Sequence, residues 1–293
     1  ITQQEEVIET LKNADAITTS VKRENLKYLV PVILKAWGDD PCTGKAIICC
    51  ENVENVGIYF KNLLMEQCSE KQKENIQKIR IPNTIVDRIC SMNSEDMTIV
   101  SEEFHELSVD KNVLSETGIE YINSIDNVEG HFYRKRYLLN SYADAISFLA
   151  KKEGLTYLYE AAQNDKINEQ IKPYMELLKD LLHERYHISK EELEQWQEIY
   201  RKRLQNDKIP RKLTTVARNL WEKLTVEERF VKPLIQLLEM KKDIAEGAKF
   251  IKKLIECGTE DEELSQIKEK LMEIWNVCPE GEILFNMIDK ISD

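Results

Sequence analysis

The chain has 293 residues, 42% of them hydrophobic and 32% charged, with a formal net charge of −12 and a pI near 5.1. A surface of that sign argues against nucleic acid or an anionic membrane as the main partner. With no apolar run of membrane-spanning length and no charged-then-apolar leader, secretion and insertion are unsupported and the cytoplasm is the expected location.

The length exceeds what one core comfortably fills, so two domains are expected. The seven cysteines have no CxxC spacing, and Cys49 and Cys50 lie inside an apolar run, as reduced core thiols do. The opening ITQQEEVIE enters a helical pattern at once (Val7, Ile8, Leu11, Ala14) without an initiating methionine, as expected where an upstream segment has been removed. A short β-branched run at 16–21 precedes a helix over 26–37 that needs Pro31 in its first turn. Gly38, Asp39, Asp40, Pro41 and Gly44 mark a loop. The continuous run AIICC at 46–50, closed by Glu51 and Asn52, reads as a buried parallel strand delivering polar residues at its carboxyl end, where ligands of open α/β sheets bind. A helix over 57–66 and a β-branched run ending in Val86, Asp87 and Arg88 follow, and the α/β part is expected to finish near Ser91. Residues 99–109 read as the last strand. Helices are expected over 132–153, 155–163, 166–187, 189–204, 225–240, 243–257 and 261–275, with a solvated basic loop at 201–212. The fold class is thus an α/β N-terminal part followed by a mostly α-helical C-terminal domain.

Within the helical part, residues 133–149 read YRKRYLLNSYADAISFL. At about 100° per residue, Leu138, Leu139, Tyr142, Ala145, Ile146 and Leu149 form one apolar stripe, and Arg136, Asn140, Ala143 and Ser147 a second, more polar one. One face is expected to pack and the other to stay open. With Lys135 at zero, Asn140 falls roughly 140° round and position 143 roughly 80° round, between an amine and a carboxamide. Periodicity alone reads these as solvated residues of an amphipathic helix.

His183, Glu184 and His187 match the HExxH zinc pattern. Ser189 followed by Glu192 is a capping-box signature that ends the helix about at His187, and no third ligand follows, so no metal site is expected. With nine glycines in the chain and neither GxGxxG nor GxxxxGK[ST], there is no phosphate-cradling loop. No GxSxG elbow or Cys–His pair supports nucleophilic catalysis.

Five segments in order and at matching spacing, VIETLKNADAITTSV, AIICCEN, VDRI at 86–89, KRYLLN at 135–140 and EERFVKPL at 227–234, resemble the polyol-specific long-chain dehydrogenases, most closely the mannitol-1-phosphate 5-dehydrogenases. The resemblance implies that residues 1–91 are the C-terminal portion of a Rossmann-like NAD-binding domain and 92–293 the helical domain bearing the catalytic groups. It implies Lys135 as general base and Asn140 and Asn52 as groups polarising the developing oxygen. Arg134 and Arg136 would lower the Lys135 pKa by like-charge repulsion. Asp87, Arg218 and, more weakly, Lys223 would contact a polyol or sugar phosphate, and Thr19, Glu51 and Asn52 would face NAD. Three departures accompany the likeness: Lys22 stands where the family has glycine, Ala143 where it has the catalytic histidine, and Leu220 and Glu222 where the phosphate-sugar enzymes tend to carry proline and arginine. Two functions fit these residues. One is an NAD-dependent sugar-alcohol (phosphate) dehydrogenase whose glycine-rich portion lies upstream of Ile1; the other is a catalytically inactive dehydrogenase scaffold acting in ligand binding or protein interaction.

Overall fold

A computed structural model of the chain describes residues 2–39, 41–92, 96–259 and 262–290; Ile1 and Asp40, named above, lie outside the described residues. Two compact units form: residues up to Arg88 with Glu103–Phe132, and Ile89–Glu102 with the chain from Tyr133 onward. As the sequence predicts, the first is α/β and the second is helix-rich.

The first unit runs α1 (Thr2–Lys12), β1 (Ala16–Thr19), a 3-10 turn (Arg23–Tyr28), α2 (Val30–Trp37), β2 (Ala46–Cys49), α3 (Val56–Gln67), α4 (Glu70–Gln77) and β3 (Thr84–Asp87). The hairpin of β4 (Cys90–Met92) and β5 (Ile99–Ser101) belongs to the second unit; β6 (Glu106–Asp110), β7 (Asn123–Ile125) and the first turn of α5 (Val128–Lys135) complete the first. β1 and β2 pair in parallel, Thr19 opposite Cys49. β3 pairs antiparallel with β6, and β6 parallel with β7. A bridge from Ala46 to Arg80 brings the approach to β3 alongside β2. Successive strand residues face opposite ways, so Ile47 and Cys49 join the core of Val30, Trp37, Phe60 and Leu64, while Ala46 and Ile48 join Val109, Leu114 and Ile122. This burial on both faces is why the run AIIC shows no alternation.

Pro31 sits in the first turn of α2, where its missing N–H costs nothing. The start of α3 lies against the chain before β3: a Cβ on Gly57 would come within 2.3 Å of the Pro82 carbonyl oxygen. The Asn83 carboxamide oxygen accepts from Gly57 N (3.1 Å) and Ile58 N (3.3 Å), satisfying two donors of that helix end. The Lys61 ammonium donates to the carbonyls of Ile76, Gln77 and Ile79 and so closes α4. α4 and β7 are unforeseen elements. Residues 99–109 form two strands rather than one, because the Glu102 carboxylate turns the chain there: it accepts from Ile89 N at 2.6 Å and pairs with both edges of Arg203 at 3.0 and 2.6 Å.

In the second unit α5 passes without a break into a π-helical turn (Arg136–Ser141) and then α6 (Tyr142–Lys152). α7 (Leu158–Gln163), α8 (Asp165–Tyr186), α9 (Lys190–Leu204), α10 (Leu213–Val216), α11 (Leu220–Lys223), α12 (Lys232–Glu239), α13 (Ala245–Gly258), α14 (Leu264–Trp275) and α15 (Pro279–Lys290) follow. α6 packs against α7, α8, α10 and α13, and every residue from Tyr142 to Ala150 is buried. The open polar face expected there does not exist beyond Asn140, because the helix is surrounded. The helix expected over 225–240 begins only at Lys232, since outside side chains occupy the preceding carbonyls: Arg136 donates to Glu227 O, Ser141 Oγ lies 3.0 Å from Arg229 O, and Tyr174 donates to Phe230 O. Arg201 to Arg203, expected in a loop, form the last turn of α9. Ser189 Oγ accepts from Glu192 N at 3.1 Å, the capping contact the sequence predicts. Among the described residues no helix is long and apolar enough to cross a membrane.

Gly57→Ala would push a methyl group into backbone that cannot swing aside. We expect a loss of about 2 kcal/mol, measured as a lower urea midpoint with an unchanged m-value.

Candidate active site

At the carboxyl ends of β1 and β2 the structure joins two of the three residues assigned to the cofactor side. Thr19 and Glu51 are both buried; Thr19 Oγ1 donates to Glu51 Oε2 at 2.8 Å, and Val21 N donates to Glu51 Oε1 at 2.9 Å. The Glu51 carboxylate thus shapes the turn after β1. Asn52 follows it, exposed at the strand end. The turn continues into Lys22, whose φ of 69° and ψ of 155° lie in a region that glycine enters freely and a lysine does not. Lys22 therefore holds a glycine-type backbone. Burial pushes the neighbouring Cys49 thiol up to about 12, so it is no nucleophile at neutral pH. Asp87 ends β3 opposite Glu106 and is buried.

In the second unit Lys135 ends α5, buried, and Asn140 lies half-buried in the π turn. A π turn closes its ring at i→i+5 instead of i→i+4, so position 140 lies nearer to the side of position 135 than in an α-helix. The 140° separation expected for an α-helix is thereby reduced. The Asn140 carboxamide makes no hydrogen bond to another described residue. Ala143, buried, follows one helical turn on. The flanking arginines are committed elsewhere. The Arg134 guanidinium lies 3.7 Å from the Trp196 ring centre, is hydrogen-bonded to Tyr200 and is 3.7 Å from Glu192. Arg136 pairs with Glu228 at 3.0 Å. Each has a carboxylate beside it, which weakens the like-charge field expected from them.

Arg218 and Lys223 line one cavity of about 360 Å³ together with Asp144, Arg211, Glu222 and Arg229. Asp144, buried in α6, takes one cation on each oxygen: Lys223 Nζ at 2.9 Å on Oδ1 and Arg229 Nη1 at 3.1 Å on Oδ2. Burial, with the charges of Arg229 and Arg218 adding to it and Asp144 opposing, holds Lys223 below the usual lysine range. Glu222, an acid at this rim, accepts from Asn219 at 2.8 Å. Asp144, Arg211 and Arg229 were not singled out from the sequence. The available signal was the lone acid in the apolar run YADAISFLA, since a charge there demands a partner. Of the HERYH residues, His187 leaves the helix with φ 58°, and His183 Nδ1 lies 2.8 Å from Ile188 O.

A parallel strand pair with a buried carboxylate at its carboxyl end, joined in one chain to a helical unit carrying Lys135, Asn140 and a charged cavity, defines a Rossmann-like part followed by a separate helical domain. The family models agree: the Mannitol dehydrogenase Rossmann domain matches residues 1–122 and the Mannitol dehydrogenase C-terminal domain residues 127–273, and the chain belongs to the mannitol dehydrogenase family. It is 28% identical over 245 residues to a mannitol-1-phosphate 5-dehydrogenase of Caldanaerobacter subterraneus, covering 79% of this chain and 62% of that one. To the enzyme of that name from Pyrenophora tritici-repentis it is 26% identical over 248 residues, covering 81% and 63%. It therefore spans less than two thirds of the length of these relatives. The fold matches Pseudomonas fluorescens mannitol 2-dehydrogenase, solved as a ternary complex with NAD and D-mannitol, with a TM-score of 0.74 at 13% identity over 98% of this chain and 73% of that one. It also matches a substrate-free D-sorbitol dehydrogenase, with a TM-score of 0.72 at 14% identity over 97% and 74%.

Relieving the positive φ should show as stability. Lys22→Gly removes a strain of ~1–3 kcal/mol against a glycine entropy cost of ~0.5–1 kcal/mol, so a net gain of about 1 kcal/mol is expected in urea unfolding. Iodoacetamide at neutral pH should alkylate the exposed Cys90 and spare Cys49 until denaturant is added, as read by peptide mass.

Proposed function

We propose that this protein is an NAD-linked oxidoreductase that moves hydride between NAD and a sugar alcohol, free or phosphorylated, with mannitol 1-phosphate as the leading substrate. The observation that supports the reading is the π turn over Arg136–Ser141, which lies between Lys135 and the end of the KRYLLN segment and turns position 140 nearer to the Lys135 side than an α-helix of that spacing would. Lys135 acts as the base, taking the proton of the hydroxyl being oxidised and returning it in the reverse direction. Asn140, whose carboxamide no other described residue engages, donates to the substrate oxygen as negative charge develops on it. Arg218 and Lys223, in the same unit, bind the rest of the polyol. NAD, when bound, supplies the hydride acceptor. The residues of this chain fitted to hold it are those of the turn after Thr19, with its glycine-type backbone at Lys22, and the exposed Asn52.

A second reading, a scaffold that binds without turning over, is favoured by one observation. Ala143, buried one helical turn beyond Asn140, offers no hydrogen-bond donor to a reacting oxygen. The two readings separate in one assay, absorbance of NADH with mannitol 1-phosphate or mannitol. On the enzyme reading Lys135→Ala lowers the rate by about 10² or more, and Ala143→His raises it by about tenfold or more by restoring a donor. A parent protein that binds NAD but shows no turnover, with no gain in Ala143→His, replaces the enzyme reading with the scaffold.

A further inference from the structure

The charges lining the cavity beside α6 are unequally committed. The Asp144 carboxylate engages Lys223 and Arg229, Glu228 pairs with Arg136, and Glu222 accepts from Asn219. Two guanidiniums remain. Neither Arg211 nor Arg218 makes a side-chain hydrogen bond or ion pair with any described residue, although both line the cavity. Arg218 is exposed, but Arg211 is half-buried, and burial holds its pKa below the usual arginine range while Asp144 and Glu102 oppose that shift. Its donors, which no described residue fills, are open to an anion entering the cavity. Its backbone is fixed in place: Leu158 N donates to Arg211 O at 2.9 Å, and Leu213 N to Thr156 O at 2.9 Å, around a bridge between Tyr157 and Lys212.

We infer that Arg211, seconded by Arg218, is an anion-recognising group that receives the charged end of the substrate, a phosphate or a carboxylate, and that Asp144 is a positioning residue that keeps Lys223 and Arg229 off that anion. The planar fork of a guanidinium matches the oxygens of either group with two parallel hydrogen bonds, which an ammonium cannot do. A volume of about 360 Å³ accommodates a small charged polyol. With Lys223 held by Asp144 and Arg229 shared between Asp144 and Glu228, discrimination between charged and neutral polyols falls to Arg211. This extends the proposed function and rests on its placement of the substrate at Arg218 and Lys223, but anion binding can be measured without turnover.

The test is calorimetric titration of the full chain with inorganic phosphate, then with gluconate as the carboxylate arm and mannitol as the neutral arm. The parent protein is expected to bind phosphate or gluconate more tightly than mannitol, and whichever anion binds better names the source. Arg211→Gln should weaken anion binding by about tenfold or more, with Arg211→Lys falling between the two because it keeps the charge and loses the fork. In an Asp144→Asn background the released Lys223 and Arg229 take over, so the loss caused by Arg211→Gln should shrink to about threefold or less, a coupling that a purely structural role would not produce. Should Arg211→Gln fail to fold, by circular dichroism, the same ordering is read from Arg211→Lys and Arg218→Gln. Equal anion affinity in the parent and the folded Arg211 variants, or no anion binding by the parent, overturns the inference. Anion binding with this dependence in a protein that oxidises no polyol leaves the anion site standing and removes only the enzyme reading; turnover of neutral mannitol with Arg211 variants unimpaired does the reverse.

Discussion

One extra residue in one helical turn sets the geometry of the second unit. A π turn loses the favourable packing of the α-helix along its axis and persists only where its surroundings over-determine it. Here they do. Ser141 Oγ reaches the carbonyl of Arg136 five residues back and that of Arg229 across the fold. Tyr137 donates to Gln236, which in turn donates to Tyr186, and both rings pack at a tilt against Tyr133. Each member of this buried network has a partner, so breaking any one contact strands a polar group in the core. The same anchors pull the 227–230 segment out of helix, and that segment supplies Arg229 and Glu228 to the cavity. The setting of the Lys135–Asn140 segment and the shape of the cavity wall thus share one origin.

Around that turn the electrostatics is a matter of which cation is satisfied. Arg134 is enclosed by Trp196, Tyr200 and Glu192, Arg203 by Glu102, and Lys223 and Arg229 share Asp144. Such buried pairs contribute little net stability compared with well-packed apolar residues, but losing one partner is costly. Their value here lies in fixing positions. On a chain of net charge −12, the arginines left without carboxylates stand out against an otherwise acidic background.

Much of this was legible in the residues themselves. The run AIICC announced a strand with no solvent face, Pro31 announced the first turn of α2, and Ser189 announced the start of α9, because each signal is local. The π turn was not legible, since Leu138, Leu139, Tyr142, Ala145, Ile146 and Leu149 are all buried and a 3.6-residue period accommodates them without the inserted residue. Asp144 was invisible for another reason: Lys223 and Arg229 lie 79 and 85 positions further along, and no pattern in a short window links them. β7, with the polar sequence NSI, carries no strand signal and owes its existence to pairing with β6.

The threading of the chain also constrains how the protein comes apart. It passes from one unit to the other three times, after Arg88, Glu102 and Phe132, the last time within the unbroken helix α5. Neither unit is a contiguous stretch of sequence, so neither can be excised with a single cut, and a nick at any one crossing leaves two covalent tethers intact. Unfolding one unit slackens a loop closed by the other, a topological coupling that tandem domains joined by one linker lack.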